Sequence, residues 1–146
     1  MPPKPAKPPK PSKPAKLPKP HLTEDDARTF ADAWVAAWNG RDLDEIMSHY
    51  AKGVRLTSPL VTRRYGRSDG TVRGSKKLRE YFEIGLRQVP ELRFELRSVL
   101  TGPAGVAIVY ARENGALVVE TLALNKGGKA RRVRVYYSGL PELPAD

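Results

Sequence analysis

The chain has 146 residues, no cysteine and only His21 and His49 for imidazole, which excludes a disulfide framework, thiolate metal sites and a structural zinc site. The formal charge of +10 suggests nucleic acid, yet Lys4, Lys7, Lys10, Lys13, Lys16 and Lys19 hold six of the 26 basic groups, leaving 20 against 16 acidic groups elsewhere. No apolar run is long enough to span a bilayer and the N-terminus lacks the apolar core of a secretory signal, so the expectation is a cytoplasmic protein with no membrane partner.

Residues 1–22 are nearly all Pro, Lys and Ala. Proline removes amide donors and the lysines repel, so this stretch reads as a disordered arm, solubilising first and at most a weak, non-specific contact for nucleic acid or another polyanion. Residues 23–140 read as one domain and residues 141–146 as a short tail.

Thr23 with Glu24, Asp25 and Asp26 opens a helix by a capping-box pattern, and the helix runs to about Asn39. Phe30, Trp34 and Trp38 repeat every four residues with Ala33 and Ala37 beside them, a broad apolar stripe that needs a wide surface to lie on. Gly40 reads as a left-handed stop, and Asp42 with Glu45 starts a short second helix carrying Leu43, Ile46, Met47 and Tyr50. Val54 to Ser58 alternate as a strand ended by Pro59. Leu60 to Gly74 read as a polar loop with a short return strand at Thr71 to Arg73, its Arg63, Arg64, Arg67 and Asp69 solvated by default. Ser75 opens a third helix with Leu78, Tyr81, Phe82, Gly85, Leu86 and Val89 on one face, ending at Pro90.

Beyond Pro90 the period falls to 2, and four strands follow: Leu92 to Leu100, Val106 to Glu113, Ala116 to Leu124 and Arg131 to Ser138. Asn114-Gly115 reads as a two-residue hairpin turn that sets Glu113 opposite Ala116, hence Val109 opposite Glu120. Four-residue loops on either side set Leu100 opposite Gly105 and Glu120 opposite Val135. One face then collects Phe94, Leu96, Val109, Val118, Glu120, Leu122, Val133, Val135 and Tyr137 as a core. The other centres on Ile108, Tyr110, Leu117 and Val119 with charge around them, the pattern of a homodimer interface.

The element order and the words Trp34-Val-Ala-Ala-Trp-Asn-Gly-Arg-Asp-Leu-Asp-Glu-Ile, Ser58-Pro59, Gly70-Thr-Val-Arg-Gly74 and Leu78-Arg-Glu-Tyr-Phe82 resemble the SnoaL-like, ketosteroid-isomerase-like branch of the nuclear-transport-factor-2-like superfamily. The resemblance implies an α+β fold, three N-terminal helices packed on a curved, mainly antiparallel sheet as a cone-shaped barrel, and a pocket for a small hydrophobic ligand. It puts Trp34 where ketosteroid isomerase has its oxyanion-hole tyrosine and Ser58 where that enzyme has its proton-shuttling aspartate. An indole donates only through its ring nitrogen and a serine lacks basicity, so steroid-type shuttling does not carry over. The oxyanion-hole acid is matched by Glu120.

Glu120 also stands out on its own, because it interrupts the apolar run Ala116 to Leu124. A buried carboxyl without a cation keeps its proton with a raised pKa, or is reached by water or ligand. The competing reading is a one-residue slip of the last hairpin, which would set Glu120 opposite Arg134 as an ion pair. The expected site is therefore Glu120 as catalytic acid or hydrogen-bond donor, lined by Trp34, Trp38, Ser58, Val109, Val135 and Tyr137. Nothing in the sequence asks for a cofactor or a metal. Isomerase, cyclase or lyase chemistry stands against a non-catalytic dimeric module whose arm does the binding.

Overall fold

The structure is a computed structural model that describes residues 22–139; the tail and, apart from Leu22, the Lys/Pro arm lie outside the described residues. Helix α1 (Glu24–Asn39) and the short α2 (Leu43–Met47) lead into strand β1 (Tyr50–Thr57), and α3 (Pro59–Tyr65), β2 (Thr71–Arg73) and α4 (Ser75–Gln88) follow. Strands β3 (Phe94–Gly102), β4 (Gly105–Arg112), β5 (Leu117–Leu124) and β6 (Ala130–Tyr137) complete the chain as an antiparallel meander. β1 pairs parallel with β6 and antiparallel with β2, giving one six-stranded sheet in the order β2-β1-β6-β5-β4-β3. The sheet curves without closing, and the helices fill its hollow side.

Side chains set the starts of α1 and α2, whereas α4 begins after Gly74 with no side-chain cap, so Ser75 is its first residue and not the cap expected of it. Thr23 and Asp26 form the reciprocal capping box of α1, and the Asp42 carboxylate accepts from the Glu45 amide at 3.1 Å to begin α2. The stop of α1 differs from expectation, since Gly40 keeps a right-handed φ of −76° and Arg41 takes the positive value, 54°. Arg41 is held there by its guanidinium, which donates to the carbonyl oxygens of Leu86 and Val89 at the end of α4. Asn39 fixes the same corner to the sheet: its amide donates to the Phe94 carbonyl at 2.9 Å and its oxygen accepts from the Phe94 N–H at 2.8 Å. Tyr50, expected on the second helix, instead begins β1.

The stretch after Ser58 is a helix and not a loop. The Ser58 hydroxyl accepts from the Leu60 amide at 3.2 Å, Pro59 occupies the first turn, and Gly66 ends the element at φ 67°. Proline costs nothing there because the first-turn amides have no helical partner, so Ser-Pro is a start signal as well as a strand stop.

The meander departs from the expected register in β4. The turn holds three residues, Glu113, Asn114 and Gly115, with Gly115 at φ 83°, so Arg112 and not Glu113 faces Ala116. Glu120 is therefore opposite Ile108, and Val109 opposite Val119. Because side chains alternate, this shift turns Ile108 and Tyr110 inward, both essentially buried, and Val109 outward. Ile108 and Tyr110 together offer more apolar surface to the interior than Ala107 and Val109 would, at about 25 cal/mol per Å² buried. A bulge between Leu96 and Ser98 keeps Phe94 and Leu96 on the inner face of β3 despite the shift.

β5 and β6 show the opposite outcome. Their turn also closes with three residues, Asn125 bonding Lys129, which alone would bring Arg134 opposite Glu120. An irregularity after the Leu124–Ala130 pair absorbs one residue, and Glu120 pairs with Val135 as expected. Arg134 lies outside, exposed.

Candidate functional site

The inner face of the sheet, the end of β1, and helices α3 and α4 enclose a cavity of about 120 Å³ lined mainly by apolar side chains. Trp38, Phe82, Phe94, Leu56, Leu60, Val89 and Leu92 form the apolar walls. Trp38 packs edge-on to Phe82, with ring centroids 4.7 Å apart, and its Nε1, close to Tyr50 but without hydrogen-bond geometry, is buried and unpartnered.

Glu120 sits at the base, 6% exposed. Its Oε2 accepts from the Tyr110 hydroxyl at 2.5 Å, and Oε1 has no hydrogen-bond partner among the described residues. Burial raises its pKa from the ordinary 4.5 to about 7; the Tyr110 hydrogen bond and the positive charge of Arg112 oppose that rise without cancelling it. At neutral pH the carboxyl is thus divided between acid and base. Sequence reasoning gave Glu120 no cation, but Arg112, also on the lining, is one; its guanidinium is spent on Glu113, with Nε to Oε1 at 2.9 Å and Nη2 to Oε2 at 3.2 Å.

Three phenols share the cavity. Tyr137 and Tyr81 both lie close to the Ser58 hydroxyl, without hydrogen-bond geometry in this structure. Burial pushes the Tyr81 phenol up to about 12, and the Tyr110 and Tyr137 phenols rise by the same cause, reinforced by Glu120. They remain neutral donors over the working pH range, so the strip Ser58, Tyr81, Tyr137, Tyr110 can bind an oxygen-bearing group without ionising.

Of the residues expected at the site, Glu120, Ser58, Trp38, Val135 and Tyr137 meet around the cavity. Trp34 and Val109 do not. Trp34 is wholly buried behind the wall, its Nε1 donating to the Tyr50 hydroxyl at 2.9 Å while its ring stacks on Phe94 at 5.4 Å. Val109 is on the outer face, for the reason of register already given. Sequence reasoning missed Tyr110 and Arg112 at the cavity, and put Arg64 in a loop that could rim the pocket but was solvated by default. The signal for Tyr110 was present, since Asn-Gly closes three-residue as well as two-residue turns; that for Arg64 was Ser58-Pro59 read as a helix start. His49 is only a local hydrogen-bonder, its Nδ1 3.0 Å from the Glu45 carbonyl oxygen.

The sequence profile of the SnoaL-like domain matches residues 31–137, which include the whole inner sheet and Glu120. This chain belongs to the SnoaL-like family. A SnoaL-like protein of unknown function from Burkholderia thailandensis is 34% identical, with a TM-score of 0.78 over 80% of this chain and 98% of that one. TerC, co-crystallised with polyporic acid, is 20% identical at a TM-score of 0.63, covering 77% of this chain and 91% of its own. The epoxide hydrolase/cyclase-like enzyme SalBIII, of pyran ring formation in the polyether salinomycin, is 20% identical at 0.62, covering 79% and 92%. The last two establish likeness of fold alone. No curated protein matches the sequence. Among the described residues of this SnoaL-like chain no cluster of His, Asp or Glu could hold a metal ion, and no helix is long and apolar enough to cross a membrane.

Proposed function

We propose that this SnoaL-like domain binds a small, mainly apolar molecule in the Glu120 cavity and moves a proton on it, the chemistry shared by isomerases, cyclases and lyases. Glu120 acts as acid when protonated and as base when ionised, and Tyr110 and Tyr137 hold an oxygen of the ligand. The observation that carries this reading is one carboxyl, buried at the base of an apolar cavity, poised near pH 7 and with one oxygen unengaged. A general acid or base works best when its pKa lies near the working pH. The use of the same fold by a cyclase-like enzyme and by a protein crystallised with polyporic acid supports a ligand-holding role. A non-catalytic module would be favoured by a filled interior and by Arg134 beside Glu120; the open cavity and the Val135 pairing favour the enzyme.

The test uses 5-nitrobenzisoxazole, from which a carboxylate takes the ring C–H proton while the N–O bond breaks to a cyanophenolate. The protein should convert it faster than an equal concentration of acetate, with a rate that rises through about pH 7 and is lost in Glu120→Gln. A Glu120→Gln variant as fast as the parent would overturn the reading.

A further inference from the structure

The cavity has a second polar end, supplied by α3. Ser58 and Pro59 start that helix, and its turn carries Leu60 and Arg64, four apart, onto the cavity lining beside Tyr81, Gly85 and Val89 of and after α4. Two guanidinium groups therefore face the same space, and they differ in what already holds them. Arg112 is bridged by both oxygens of Glu113 and lies over the Phe94 ring at 5.8 Å, so its charge is answered. Arg64 donates to the neutral amide oxygen of Gln88 at 2.5 Å and forms no ion pair among the described residues. It is half-buried, next to apolar wall, and Gly85 opposite adds no side chain to fill the space.

A half-buried guanidinium with only a neutral partner keeps N–H donors and a full charge for a planar oxyanion, and it binds carboxylate through a fork that a neutral amide cannot match. Glu120 at the base cannot serve that purpose. We propose that Arg64 anchors a carboxylate on the ligand, so that the molecule held in the cavity is a small organic acid with an apolar body, its carboxylate at Arg64 and its reacting end at Glu120 and Tyr110. This rests on the cavity being a ligand site, as proposed above, and adds the class of ligand. The contact to Gln88 also ties α3 to α4, a structural role that would alter stability but would not distinguish an acid from its amide.

The experiment compares trans-cinnamate with trans-cinnamamide, which share shape and apolar body, by isothermal titration calorimetry of the full chain at pH 6. Cinnamate should bind about tenfold more tightly, as a charge-assisted hydrogen-bonded pair does over a neutral one. In Arg64→Gln the preference for cinnamate over cinnamamide should disappear, and Arg64→Lys should keep part of it. Arg64→Met, read the same way, replaces the Gln variant if that protein loses cinnamamide too. Equal affinities in the parent, or a preference that survives in Arg64→Gln, overturn the proposal while leaving the cavity as a ligand site. Binding of neither probe overturns both.

Discussion

Glu120 shows how one residue can bind stability to pH. Its folded pKa, about 7, lies above the ordinary 4.5, so the native state holds a proton that the unfolded chain has already lost between those values. The stabilisation is complete below about 4.5 and is lost as pH rises through about 7, a change of about 3 kcal/mol. Glu120→Gln keeps the shape and removes the ionisation. It should match its parent in urea titrations at pH 5 and exceed it at pH 8; a Gln variant weaker than the parent at pH 8 would show the carboxylate to be stabilised, not strained. Tyr110 supplies a second check, because its hydroxyl donates to Glu120 and favours the ionised form. In Tyr110→Phe the Glu120 titration, followed by the carboxyl stretch in infrared difference spectra, should move to higher pH. An unmoved or lowered midpoint would show that this hydrogen bond does not favour the ionised form. The apolar neighbours of Glu120 favoured burial over an ion pair with Arg134, whereas both that choice and its partner Tyr110 depended on hairpin counts.

That count belongs to the next scale, the element. Gly115 stands at φ 83° in the three-residue turn, a conformation open to glycine and costly to a residue with a Cβ, although open space surrounds the position. Gly115→Ala should therefore destabilise by about 1 kcal/mol through backbone strain, with an unchanged urea m-value. A neutral result would mean that the turn can re-form with two residues, and the outward display of Ile108 and Tyr110 would then become accessible. Capping boxes, the α1 stripe and the strand period were readable because each depends on residues a few positions apart. Helix α3 was not, since Pro59 satisfies two rules at once, ending a strand and opening a helix, and only the packing of Val61 into the core selects between them.

For the whole molecule the outer face of the sheet raises the question of a partner. With Ile108 and Tyr110 turned inward, the expected interface loses half its residues, yet Leu117 (48% exposed), Tyr136 (54%) and Leu100 (53%) remain around Val109 and Val119 on that face, bordered by Arg132 and Arg134. A contiguous apolar centre with a charged rim suits a second copy of the chain. Sedimentation at micromolar concentration should give a dimer, and Val119→Glu should give a folded monomer, because a carboxylate would enter the centre of the patch. A monomer for the unaltered chain would remove this face as an interface.

Local sequence alone determined where α1, α2 and α4 begin, the alternation of the strands, and that the carboxyl at position 120 interrupts an apolar strand and so needs a special environment, since each follows from spacing and from the cost of hiding polar groups. Only the tertiary structure decided which face of β4 lies inside and which residues surround that carboxyl. One turn residue reverses every side chain of a strand, and a bulge can restore it, so the choice depends on the total apolar area the cavity walls can bury and not on any local preference.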